Sequence, residues 1–520
     1  MASSLGKLVG IDLGTTFSAI ATLDQHGQPV TLPNVEGELL TPSAVLIQEG
    51  AAIVGQAARD VSLEQPDQVA LSVKRSMGQP KFPYTVSGIE FRPETLSAII
   101  LRKLVQDAER RIGPVKRAVI TVPAYFDDTR RKATKDAGRI AGLDVIDILD
   151  EPTAAALAYS FQASPSVKAN DALPIPAQTV LVYDLGGGTF DVTLVRLSPR
   201  RFESLAIEGD VRLGGKDWDD RIVDFVAEKF IAQHGEDPRK DPLSHVNLVA
   251  AAERAKRTLS KLLKTTIVCT HAGKVLSLPI TRQDFETMTL DLLTRTRLTT
   301  QTVLRQAGMT WDKVDRVLLV GGSTHMPMTG QMLQELSGKI PDKSLAVSEV
   351  VARGAAIHAG IVAARMGEPM EDEVADVLGD IVEINVNSHS LGIEVKVGAD
   401  RNNDILIPKN TQLPTSAVRT YRTAAENQQR VRVKVLQGEG KQSEACIQIG
   451  ECWVQGLPAN LPKGSPIQVK CGVASNGMIE VTAIDQTSGT SARTEIHRQT
   501  GLSEEELKRE TDWLGSIAIQ

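Results

Sequence analysis

The chain has 520 residues, 42% apolar and 23% charged, which suits two or three folded units with sizeable cores and excludes a disordered polymer. Its 58 basic and 64 acidic residues give a net charge of −6 with no long run of one sign, which argues against a nucleic-acid footprint or a polybasic membrane anchor. The opening residues lack a basic segment followed by an apolar one, and no later apolar run reaches membrane-spanning length, so the expectation is a soluble, cytoplasmic protein. Cys269, Cys446, Cys452 and Cys471 are too dispersed for a disulfide framework or a C-x-x-C zinc site.

In the first two-thirds, short β-branched runs alternate with amphipathic helices, which predicts a layered α/β domain. Strands are predicted over 7–11, 118–122, 180–184 and 316–320. A helix starts at Pro93, with Glu94 in its first turn. It places Leu96, Ile99, Ile100, Leu104, Ala108 and Ile112 on one stripe and stops at Gly113. The stretch 164–178, rich in Ser, Pro, Asn and Ala, reads as an exposed loop. An acidic, turn-like sequence near 367–380 marks a domain boundary, after which helical periodicity almost disappears. From 390 to 496 short strands alternate, most clearly where Val431, Val433 and Val435 interleave with Arg430, Arg432 and Lys434. Asn476-Gly477 predicts a tight hairpin in which both central residues take positive φ. Ser503 and Glu506 form a capping-box pattern that opens a last short helix.

Two segments resemble copies of one another, VGIDLGTTF from Val9 and VYDLGGGTFD from Val182. Each is a buried strand with an Asp at its end and a Gly/Thr turn beyond it, and internal duplication is the simplest explanation. Glycines let backbone N–H groups close on phosphate oxygens, threonine hydroxyls add donors, and strand-end carboxylates hold hydrated Mg²⁺. Two facing copies would clamp a triphosphate. No G-x-x-x-x-G-K-[ST] and no strand–helix G-x-G-x-x-G occurs, which excludes a P-loop and a dinucleotide fold. A third glycine turn, LLVGGST from Leu318, lets backbone approach a base or ribose.

These residues, with VITVPAYF from Val119, DEPTAAA from Asp150 and ERAKRTLS from Glu253, carry a resemblance over nearly the whole chain. The sequence resembles the seventy-kilodalton heat-shock chaperones of the DnaK type. The resemblance implies an α/β actin-like ATPase domain, a duplicated ribonuclease-H-like fold, over 1–369. It implies a linker over 370–389, an all-β sandwich peptide-binding domain over 390–500, and a short helical tail, the rudiment of a lid, over 501–520. It further implies an ATP-dependent chaperone that binds apolar segments of unfolded proteins, with hydrolysis of ATP to ADP and phosphate controlling peptide affinity.

By position, Asp12 and Asp184 would hold the Mg²⁺ water shell, with Glu151 nearby and Asp191 orienting the attacking water. Lys74 resembles the family's catalytic lysine beside the γ-phosphate. Thr15, Thr16 and Thr189 would bond phosphate oxygens, with Gly14, Phe17, Gly186, Gly187, Gly188, Gly214 and Gly215 in the surrounding turns. Glu253, Lys256, Arg257 and Ser260 share one helix face at i, i+3, i+4 and i+7 and resemble the adenosine-contacting helix, opposite Gly321, Gly322 and Ser323. His325 stands where the family has an adenine-sandwiching arginine and Ser348 where it has an aspartate, so weaker nucleotide affinity is expected. K⁺ is expected as a further cofactor.

For the peptide side, Ile393, Val395, Tyr421, Val431, Val433 and Ile467 would line the cleft, with Lys396 and Ala424 near an arch over the peptide. Pro123 and Arg131 match positions that relay nucleotide state. The family's linker is an apolar run ending in aspartate; here Glu383 interrupts the run and Asn385 replaces the carboxylate, so weaker interdomain docking is expected, and with almost no lid, fast peptide release. A J-domain co-chaperone and a nucleotide-exchange factor are the implied partners. The main alternative is a nucleotide-gated, chaperone-like regulator without a full peptide-release cycle. A sugar kinase or an actin-type filament protein leaves the β-rich region after Ser390 unexplained.

Overall fold

The computed structural model describes residues 6–162, 177–368, 370–455, 457–487, 491–492 and 501–520. Most of the predicted loop 164–178 lies outside these residues.

The first two-thirds form a mixed α/β region around two sheets. The first sheet has the order Pro29–Leu32, Phe17–Leu23, Lys7–Asp12, Val115–Val122, Asp144–Asp150. The second runs Arg316–Val320, Gln178–Leu185, Phe190–Ser198, Arg201–Asp210, Val382–Ile384. In both, the strand carrying the Asp-Leu-Gly motif is antiparallel to the strand after its glycine turn and parallel to a later strand on its other side. Their central strands are buried on both faces, which is why Val180–Leu185 is an unbroken buried run rather than an alternating one.

Helices Glu151–Gln162 and Val350–Arg365 cross between the sheets. The crossing is so close that a Cβ on Gly354 would fall 1.8 Å from the Ala154 carbonyl oxygen, and one on Gly10 2.1 Å from the Ala356 nitrogen. The predicted helix is present as Pro93–Ile112, with Pro93 at its start and Gly113, at φ 83°, as its cap.

The β-rich region is two facing four-stranded sheets. One comprises Asp400–Ile407, Leu391–Val397, Arg430–Gln437 and Ile447–Gln455; the other comprises Thr415–Arg422, Pro466–Val473, Ile479–Asp485 and Ser491–Ala492. Leu391, Ile393, Val433, Val435, Ile467, Val469 and Val481 fill the space between them. The hairpin at Asn476-Gly477 differs from the tight turn the dipeptide predicts. The Gly477 N–H donates to the Ala474 carbonyl at 2.9 Å, and Gly477 alone has positive φ, at 79°. Ser475 and Asn476 therefore occupy the centre of the turn, and the glycine supplies the left-handed residue after it, a longer loop that also tolerates the strand twist.

The segment expected as a linker is largely structured against the α/β region. Helix Asp372–Gly379 lies there, with Val374, Val377, Leu378 and Ile381 in the core beneath helix Val350–Arg365. Strand Val382–Ile384 then adds in parallel to Arg201–Asp210. The packed core therefore continues past the acidic stretch, as far as Ile381.

The two regions are docked. The Lys409 ammonium reaches Glu208 at 2.6 Å and lies 4.6 Å over the Tyr125 ring. Asn410 accepts from the Ile207 N–H at 3.0 Å, and Gln412 donates to Glu203 at 2.6 Å. The tail helix Glu504–Gly515, capped by Ser503 and Glu506 as its sequence predicts, lies on helices Pro93–Ile112 and Asp128–Ile140 rather than on the β-sandwich. It buries Leu502, Leu507 and Leu514, sets Trp513 edge-on to Phe91, and pairs Glu504 with Arg139 and Glu506 with Arg92. Strand Ala518–Ile519 then joins Ala51–Val54 in parallel. Among the described residues no helix is long and apolar enough to cross a membrane.

Candidate active site

The two glycine turns meet face to face. A Cβ on Gly187 would lie 2.1 Å from the Thr16 hydroxyl, and one on Gly188 2.6 Å from that of Thr15, so only glycine permits the approach. The second turn is held by the start of helix Gly215–His234: the Gly215 N–H donates to the Gly186 carbonyl and the Lys216 N–H to that of Gly187, both at 2.9 Å. Gly214 backs directly onto Gly188, where a Cβ would come within 2.4 Å of backbone. Thr15 and Thr189 are buried at this junction. Gly14 is fixed by Ser18, whose hydroxyl accepts from its N–H at 3.1 Å, and by Ser43, which donates to its carbonyl at 2.8 Å.

Beneath the turns, Glu151, Asp184 and Asp191 are buried and Asp12 is partly buried, and Lys74 ion-pairs with Glu151. Thr121 donates to Asp12 at 3.3 Å, and the Tyr125 N–H to Asp191 at 2.9 Å. Burial and then the Glu151 charge push the Asp12 carboxyl up to about 7. The same two causes hold Asp184 and Asp191 well above the carboxylate range. Burial opposes the charged form of Lys74, but Glu151, Asp12 and Asp184 outweigh it and its pKa is raised. Four acids facing one ammonium form a cluster short of positive charge, the electrostatic state that a hydrated divalent cation neutralises. Among the described residues no three potential metal ligands converge tightly enough to hold an ion directly.

The other predicted residues sit at the rim. Lys256 donates to the Gly215 carbonyl and to Asp219, both at 2.8 Å. Ser323 donates to the Gly186 carbonyl at 2.8 Å, and Gly321 lies against Leu185 and Asp184. Gly322 borders open space and His325 is exposed. Ser260 donates to the Lys256 carbonyl of its own helix. Glu253 pairs with Arg59 from the opposite side and with Arg257 at 2.7 Å. Both guanidinium groups lie over the Phe17 ring, at 5.4 and 5.7 Å. Burial raises Glu253, but the two arginines outweigh it and hold its carboxyl below the usual range.

Sequence reasoning missed Arg59 and Arg75. Arg75 donates to the Gly188 carbonyl at 3.1 Å and pairs with Asp217, so it bridges the second glycine turn to the helix behind it. Its position beside Lys74 was the available signal; Arg59, in a short helix with no motif, offered none.

On the β side, Ile393, Val433 and Ile467 are buried between the sheets, with Tyr421 and Val431 partly buried against them. Val395 is partly buried but is not among the residues packed against that cluster, and Lys396 and Ala424 are exposed. The Tyr421 hydroxyl donates to Asp404 at 2.8 Å. Arg131 is buried and pairs with Asp150 at 2.5 Å. It also reaches the Asn476 carbonyl of the sandwich at 3.4 Å, so it spans the two regions, while Pro123 opens the turn that leads to it.

The family profile described as Hsp70 protein matches residues 8–513. The chain is 41% identical to the "Chaperone protein DnaK" of each of two strains of Thermus thermophilus, over 97% of its length and 83% of theirs. It is also 41% identical to the protein of the same name from Halobacterium salinarum, over 96% of its length and 76% of that one. With a profile match across both regions and relatives 41% identical over nearly its whole length, the chain belongs to the Hsp70 family of ATP-hydrolysing molecular chaperones, which bind unfolded peptides with nucleotide-modulated affinity.

Proposed function

We propose that the α/β region is an actin-like pair of ribonuclease-H-like halves and that ATP is hydrolysed at their junction, under the two glycine turns. The observation that carries this reading is the cluster of Asp12, Glu151, Asp184 and Asp191 with Lys74 directly below those turns. The repeated strand order around the two Asp-Leu-Gly motifs supports the duplication.

In this reading Asp12 and Asp184 hold Mg²⁺ through its waters, which supplies charge neutralisation to the phosphates. Thr15, Thr16 and Thr189, with the N–H groups of Thr15, Thr16, Gly187 and Gly188, bond phosphate oxygens. Lys74 places its ammonium where negative charge develops in phosphoryl transfer, and its contact with Glu151 fixes it there. Asp191, held by the Tyr125 N–H, orients the attacking water. The face formed by Glu253, Lys256, Arg257 and Ser260 receives the nucleoside opposite Gly321, Gly322 and Ser323, with His325 at the outer rim. K⁺ is the proposed monovalent partner of the phosphates.

Extended apolar peptides bind in the sandwich at Ile393, Val395, Tyr421, Val431, Val433 and Ile467, under Lys396 and Ala424. Main-chain hydrogen bonds hold the peptide and the apolar pocket selects its side chains. A J-domain protein and a nucleotide-exchange factor regulate the cycle. Steady-state ATPase measured with and without an apolar peptide and a J-domain protein tests the assignment: stimulation is expected, and turnover indifferent to both would point to a nucleotide-gated regulator.

A further inference from the structure

Glu383 is the inward-pointing side chain of strand Val382–Ile384, the segment that joins the two regions, and its carboxylate is buried to 7% exposure. It faces His358, on the central helix Val350–Arg365, with both oxygens 2.8 Å from Nδ1. The other ring nitrogen, Nε2, lies 2.9 Å from Asp147 on the strand Asp144–Asp150. A carboxylate on each side requires both ring nitrogens to donate, so the ring carries both protons. Asp147 also accepts from the Ile148 N–H at 2.9 Å. The next charges around the ring are the Asp150–Arg131 pair on one side and, on the strand beside Glu383, Glu203, which bonds Gln412.

We propose that Asp147, His358 and Glu383 form a charged clasp that positions the interdomain segment in its docked place. An apolar strand would hold this site by burial alone and would be indifferent to what stands on the neighbouring strand. A buried carboxylate is different: it is stable here only while its cationic partner is present, and the partner is left uncompensated when the carboxylate leaves. His358 is therefore a positioning residue on the rigid central helix, whose other turns contact the Asp12 strand. The segment cannot leave without exposing or unpairing a charge, which makes its release all-or-none. The hairpin turn is held separately, by the Asn476 carbonyl, which accepts from Arg131 at 3.4 Å. The expectation that Glu383 weakens docking by interrupting an apolar run is thus replaced by a specific ionic contact that the linear sequence does not display.

The inference rests on the reading that docking of this segment accompanies nucleotide binding, and the test separates the two. In the full chain, Glu383→Leu, His358→Leu and the double variant are compared by protease cleavage within residues 382–389, with and without Mg-ATP, alongside basal and peptide-stimulated turnover. Each single variant is expected to increase cleavage at least fivefold and to reduce the stimulation ratio while basal turnover persists. The double variant, in which both buried charges are replaced by apolar groups, is expected to recover protection. Single variants that keep wild-type protection, or a double variant as exposed as the sum of the two, would overturn the clasp. Loss of ATP dependence in the wild-type chain would instead refute the docking reading while leaving the ionic contact testable by the same cleavage ratios.

Discussion

Replacing Lys74 by alanine removes the cation that Asp12, Asp184 and Asp191 all face, and leaves Glu151 without its partner. Two effects follow with different signatures. The electrostatic one acts on the reaction: loss of a positioned charge beside the transferred phosphoryl group costs about 3–4 kcal/mol in the transition state, roughly a 10²–10³-fold fall in turnover. The structural one acts on the resting cleft: a buried pair broken on one side costs about 3–5 kcal/mol. Mg-ATP restores positive charge to the cluster, so the variant is expected to bind ATP nearly as tightly as the wild type and to regain thermal stability on binding it. Single-turnover hydrolysis at saturating Mg-ATP, calorimetric ATP affinity and melting curves with and without nucleotide separate the two effects. Unchanged turnover in a normally folded variant would refute the role given to Lys74.

Three further outcomes are expected. Burial raises the Glu94 carboxyl from 4.5 to about 7, with smaller opposing contributions from its own backbone and Arg92. A raised acid stabilises the fold most fully below 4.5 and loses that contribution as pH rises through 7, a difference of about 3 kcal/mol at most. Glu94→Gln should therefore flatten the decline in stability between about pH 4.5 and 7 seen in denaturant titrations, and an unchanged decline would place its origin elsewhere. Arg59→Ala removes an ion pair and a cation–π contact across the rim of the cleft, about 1–2 kcal/mol together, and should speed ADP release in stopped flow; unaltered release would contradict a closing role for this pair. Gly354→Ala puts a methyl group 1.8 Å from the Ala154 carbonyl, so the helix crossing must open at a cost of about 1–3 kcal/mol, measurable as a lower unfolding midpoint; a neutral result would contradict the close crossing.

The parts legible in the sequence are those set by local chemistry. The two glycine turns, the Pro93–Ile112 helix, the alternating Val431–Val435 strand and the Ser503 cap each follow from residues within a turn or two of one another. Of the acidic cluster, Asp12 and Asp184 were legible through the repeat, whereas Glu151 and Asp191 were legible only through the family resemblance, because the four come from four separate segments. Contacts that depend on distant partners were not legible. Glu383 reads as an interruption until His358 and Asp147 are brought beside it. The tail helix carries an amphipathic pattern that says what it buries but not where, and its apolar face finds the helices after Pro93 and Asp128 rather than the sandwich. The Asn476-Gly477 dipeptide signals a turn, yet the register of the flanking strands, Val473 opposite Ile479, decides the loop length and leaves positive φ to the glycine alone.

The central claim is that nucleotide at the acidic cleft controls peptide held in the sandwich through the docked segment. Its most direct test is the release rate of a fluorescent apolar peptide from the ADP-loaded chain, followed after mixing with excess unlabelled peptide and either Mg-ATP or Mg-ADP. Faster release with Mg-ATP, abolished when Glu383→Leu loosens the docked segment, is the predicted result; identical release in the two nucleotides would contradict the account.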